Sequence, residues 1–123
     1  MDQPTLTELT PELTEIASGL QFPEGPISMS DGSVVLVERF GPRLTKVHPD
    51  GSTETIAEIP GGPNGAAVGP DGAFYLCNNG GSFTPLDLGG LILPTGGFDE
   101  NTYLGGRIQR VDPHDGTTTD LYT

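Results

Sequence analysis

The sequence has one cysteine, few basic residues, no long apolar run and no sustained helical period. The single thiol, Cys77, excludes an intrachain disulfide. It lies in the run Ala73-Phe74-Tyr75-Leu76-Cys77, where a buried strand thiol is expected over a nucleophile. Lys and Arg number 5 against 17 Asp and Glu, for a net charge of −12. Such a surface repels a phosphate backbone and an anionic bilayer, so neither nucleic acid nor membrane is an expected partner. The acidity suits either the solubility of a Gly-rich protein or the local binding of a divalent cation. No stretch approaches the ~18 apolar residues of a membrane span. Met1-Asp2-Gln3-Pro4-Thr5 has neither the basic nor the apolar region of a secretion signal, so a soluble, cytoplasmic protein is expected. The nearest approach to a helical pattern, Thr7 to Ile16, is interrupted by Pro11.

What the chain does have is punctuation. Its 19 glycines and 12 prolines make up about a quarter of the 123 residues, a level at which disorder competes with folding. Here they separate short apolar runs at regular intervals, as turns do in an all-β protein. The spacing repeats. Pro23-Glu24-Gly25 is followed by Asp31-Gly32, and Pro63-Asn64-Gly65 by Asp71-Gly72, each 40 residues after its counterpart. Arg43-Leu44-Thr45-Lys46-Val47 likewise matches Arg107-Ile108-Gln109-Arg110-Val111. Each copy then reaches a second Asp-Gly and a Thr-rich strand, Ser52 to Ile59 and Thr117 to Tyr122.

Each unit therefore contains four strands joined by tight turns, because Gly accepts the positive φ that an Asp-Gly hairpin requires. A unit of ~40 residues with four strands matches a blade of a β-propeller. A sandwich of hairpins explains the strand count but not the repeat of whole units. The expected organisation is an N-terminal extension over 1–12, a leading strand (Leu13 to Leu20) with the first blade over 13–60, and a second blade over 61–123. A closed ring needs at least four blades, so two leave it open. The missing blades are then supplied either by further chain, this one being a fragment, or by self-association of copies.

Strand alternation assigns the ends of the blades. Glu24 and Asn64 both fall at the top, near the central axis, whereas the Asp-Gly turns, with His48 and His114, fall at the bottom. The turn aspartates are expected to form turns. Arg43 and Arg107 are 64 residues apart, so the second unit carries 24 extra residues, about 79–105, on the top face. This insertion is expected to be either a lid and pocket wall or a flexible loop, with Asn64, Asn78 and Asn79 as candidate pocket-wall residues. Phe83, Leu91, Ile92, Leu93 and Phe98 point to partial packing, and Asp99-Glu100-Asn101 to a solvated acidic cluster. Glu24, stiffened between Pro23 and Pro26, is either an exposed carboxylate or a ligand for a hard cation.

Pro23-Glu24-Gly25-Pro26-Ile27, Gly62-Pro63-Asn64-Gly65-Ala66-Ala67 and Gly106-Arg107-Ile108-Gln109-Arg110-Val111-Asp112 together resemble the gluconolactonase/senescence-marker-protein/luciferin-regenerating-enzyme family. The resemblance runs from about Leu13 to Thr123 and is weakest in the insertion. It implies a six-bladed propeller holding a divalent cation, Ca²⁺ or else Zn²⁺ or Mg²⁺, in its central tunnel. It further implies hydrolysis of sugar lactones or related esters, with Glu24 as the first-blade metal ligand. Asn64 matches no ligand of that pattern. The catalytic residues and remaining ligands are expected on the absent blades, so this chain alone is expected to be inactive. The competing expectation is a non-catalytic propeller whose top face binds a partner.

Overall fold

A computed structural model describes residues 10–123, and the first nine positions of the expected N-terminal extension lie outside the described residues. Among the described residues ten strands run in chain order as β1 (Pro23–Ser28), β2 (Val34–Glu38), β3 (Arg43–Val47), β4 (Thr53–Glu58), β5 (Pro63–Val68), β6 (Phe74–Asn78), β7 (Leu86–Leu88), β8 (Leu91–Leu93), β9 (Arg107–Val111) and β10 (Thr118–Tyr122). Among the described residues no helix is long and apolar enough to cross a membrane.

The chain is all-β. β1-β2-β3-β4 form one antiparallel sheet in chain order, and β5-β6-β9-β10 form the second in the same order. The insertion contributes only the small β7–β8 pair. Each Asp-Gly turn closes in the same way. Asp31, Asp71 and Asp115 each accept the amide two residues on, from Ser33, Ala73 and Thr117, and Asp50 accepts that of Ser52. The following glycines hold φ between 72° and 86°. These four aspartates are turn formers, and two are tied further: Asp31 to Lys46 at 3.0 Å and Asp71 to Arg110 at 2.9 Å.

The first strands of the two sheets, β1 and β5, lie side by side. Gly25 permits this. An added Cβ there would sit 2.7 Å from the Ala66 amide nitrogen, and its φ of 58° already lies in the left-handed region. Behind these strands the sheets share one core of Val35, Val37, Leu44, Ala57, Ile59, Phe74, Leu76 and Val111. Val35 and Val37 on β2 and Phe74 and Leu76 on β6 thus belong to the same buried cluster. Alternation turns the intervening Tyr75 and Cys77 to the far side of the second sheet.

Two expectations are corrected. Leu13 to Leu20 form no strand, and Leu13 and Ile16 are 92% and 59% exposed. A strand needs a partner edge, and this tail meets one only at Gln21 and Phe22, whose carbonyls accept the Phe40 and Arg39 amides. Cys77 is exposed, not buried. Its counterpart one repeat earlier, Val37, is buried because the second sheet covers it, and among the described residues no further sheet covers Cys77.

Candidate functional site

Glu24 opens β1 at the end of the sheet that also carries the β2–β3 connection, since it stands opposite Val37 in the ladder. The ladder shifts register between Glu24 and Ile27, a bulge that frees the Glu24 side chain from regular alternation. Its carboxylate is 28% exposed and lies 3.6 Å from an η nitrogen of Arg39, whose own side chain is 10% exposed. The Arg39 guanidinium faces three aromatic rings, with centroids 5.8 Å (Phe22), 5.7 Å (Phe40) and 5.1 Å (Phe83) away. Each ring face carries partial negative charge and attracts the cation. Phe22 and Phe40 also meet edge to face at 5.5 Å. Among the described residues the buried Arg39 Nε has no hydrogen-bond partner, so charge and stacking hold this guanidinium in place of a bidentate fork.

Asn64 is exposed on β5, one repeat after Glu24 at the same end of the neighbouring strand. Asn64, Asn78 and Asn79 border an open cavity of about 420 Å³ together with Arg107, Ile108 and Tyr122. The structure therefore brings the three asparagines to one depression. Their side chains differ in freedom. Asn78 is buried, accepts the Gly62 and Gly80 amides, and donates to the Pro60 carbonyl and to Gln109 Oε1. Asn79 accepts the Gly81 and Ser82 amides. Both hold backbone turns, and Asn64 is the one whose side chain faces solvent.

The insertion is ordered by its own hydrogen bonds. Its stem closes where the Leu104 amide donates to Gly80 and the Asn79 amide to Gly62. Arg107 donates to the Leu104 carbonyl. Further out, Thr84 exchanges backbone bonds with Gly96 and Gly97, and the β7–β8 hairpin turns at Gly89-Gly90, both at positive φ. Phe98 and Tyr103 meet edge to face at 5.2 Å. Asp99 accepts from the Asn101 amide, which, with the Asn101 side chain, lowers its carboxyl below the ordinary range. Packing onto the body is slight: Phe83, Leu91 and Phe98 are all exposed, while Ile92 and Leu93 are half-buried. Between the insertion and the β2–β3 connection lies a second cavity, of about 290 Å³, bordered by Arg39, Phe40, Gly61, Gly62, Phe83 and Thr84.

A Ca²⁺ ion takes six to eight oxygens. At the top of this pair of sheets the Glu24 carboxylate already has a guanidinium against it, and the Glu38 and Asp120 carboxylates are taken up by Thr45 with Arg43 and by Gln109 with Arg107. Among the described residues no three His, Cys, Asp or Glu side chains converge. These residues do not by themselves fit a cation site, and they can contribute one ligand to a site completed elsewhere. His48 pairs with Glu54 at 2.9 Å beyond β3, at the end of the sheet opposite Glu24.

The Arg39 cage was not foreseen from the sequence. One signal for it existed: Arg39 follows Glu38 at the end of β2, which pairs with the strand that opens at Glu24. No protein-family model matches the chain, and no curated protein matches it.

Proposed function

We propose that the two sheets are consecutive blades of a β-propeller and that the ring belongs to a divalent-cation-dependent hydrolase of sugar lactones or related esters. Glu24 contributes one ligand in this reading. The observation that carries it is the placement of Glu24 at the mouth of the inner strand β1, beside its repeat neighbour β5 and at the end from which the insertion rises. The side-by-side inner strands support the propeller part, as does the uncovered far face of the second sheet. Tyr75 and Cys77 stand there in place of Val35 and Val37, which a neighbouring sheet covers. A third sheet, from further chain or another copy, fits that face. A cation whose site is completed by residues outside these two sheets would supply Lewis acidity toward the scissile carbonyl. The chain's own residues orient the Glu24 carboxylate and wall the approach to it.

The test is lactone hydrolysis by the ring-forming species, stripped with chelator and then restored with Ca²⁺. Turnover should require the cation and be lost in Glu24→Gln. Cation-independent turnover, or unchanged turnover and metal affinity in Glu24→Gln, overturns the reading. Removal of Ser82 to Thr102 should alter turnover if the insertion walls the pocket. The second reading, a non-catalytic partner-binding propeller, is favoured by the exposed Phe83, Leu88, Leu91, Phe98 and Leu104 on the insertion. It predicts no turnover under any cation.

A further inference from the structure

We propose that Arg39 is a latch that couples the Glu24 carboxylate to the position of the 79–105 insertion. Three parts of the chain meet on this one guanidinium. Phe22 comes from the segment ahead of β1, Phe40 from the β2–β3 connection and Phe83 from the insertion. Phe83 makes the shortest approach, 5.1 Å, although its side chain is otherwise exposed. The cavity of about 290 Å³ shows that the insertion is not packed flush onto the first sheet. At the edge of that gap Phe83 reaches the β2–β3 connection where it covers Arg39.

The other side of the latch is electrostatic. Glu24 holds Arg39 at 3.6 Å, outside ordinary hydrogen-bond reach, and Arg39 Nε is unpartnered among the described residues. A guanidinium held by one loose ion pair and ring faces shifts readily when that charge changes. Whatever draws the Glu24 charge away weakens the hold on Arg39, and Phe83 loses the cation it covers. The linkage runs equally in reverse: freeing Phe83 loosens Arg39 and leaves Glu24 more available to another cation.

Amide hydrogen exchange on the 123-residue chain tests this without any metal or substrate. The reporters are the Thr84, Gly96 and Leu104 amides, whose bonds hold the insertion together. Glu24→Gln, Phe83→Ala and Arg39→Ala should each speed their exchange by about tenfold, with the amides of β3 and β9 unchanged. The decisive measurement is the double variant Glu24→Gln/Phe83→Ala. Because both residues act through Arg39, it should exchange no faster than either single variant. Additive effects, or an insertion unmoved in Phe83→Ala, overturn the latch. If Arg39→Ala fails to fold, the Glu24 and Phe83 cycle decides alone. Failure here leaves the hydrolase reading intact, since lactone turnover plays no part in the measurement.

Discussion

Asn78 donates from Nδ2 to Gln109 Oε1 at 2.9 Å across β6 and β9, where in the first sheet Thr45 donates to Glu38 across β2 and β3. All four side chains are buried. Each pair closes the top of its sheet. Glu38 also takes Arg43 at 2.8 Å and the Gln21 amide, while Gln109 passes the chain of bonds on to Asp120. Asn78→Ala leaves two backbone amides and Gln109 without their partner. It should lower stability by about 2–4 kcal/mol, read as a reduced urea midpoint with unchanged slope.

Gly25 and Gly72 separate two costs of a side chain. Both have positive φ, 58° and 80°, but a Cβ at Gly72 meets nothing within 4 Å. Gly72→Ala should cost about 1 kcal/mol from backbone strain alone. Gly25→Ala adds a collision with the Ala66 amide and should cost about 2–4 kcal/mol. Equal urea midpoints for the two variants would show that the inner strands are not tightly apposed.

Acid should unfold the chain through its turns. The carboxyls of Asp31, Asp50, Asp71 and Asp115 all lie below the ordinary aspartate range. Ser33 holds Asp31 down most strongly, with Lys46 adding to it; Ser52 does so for Asp50, the Ala73 amide with Arg110 for Asp71, and Thr117 for Asp115. A lowered folded value means the charged form is favoured by folding. That contribution is complete above the unfolded value, about 3.9, and is lost as pH falls through the folded values. The thermal midpoint should therefore fall below about pH 4. Relief of the −12 net charge works the other way over the same range, so the clean readout is a comparison. Asp31→Asn should show a shallower acid decline than the parent chain, and an identical decline would remove Asp31 from the account.

The strands and turns of both sheets were legible because their determinants are local. An Asp-Gly turn is written in two adjacent residues, and its recurrence 40 residues later identifies the unit. What failed to show in the sequence depends on neighbours. Leu13 to Leu20 has strand-like composition but no edge to join. Cys77 alternates correctly with Leu76, yet its burial requires a sheet beyond the second. Asn78 borders an open cavity, but its amide is consumed by four hydrogen bonds that no spacing reveals. The cage around Arg39 gathers rings from positions 22, 40 and 83, separated in the chain and joined only by the packing of two sheets.

Gly80 and Leu104 pinch the insertion together at its base. At Gly80 a Cβ would strike the Gly105 carbonyl oxygen at 2.4 Å, so the two arms of the insertion leave and re-enter the second sheet at a single point. A sheet closed that way is indifferent to the length of chain beyond the pinch. Segments of different size and character can be exchanged above Gly80 while β6 and β9 keep their ladder. The top of this fold is thus a socket, with the insertion replaceable and the frame beneath it constant.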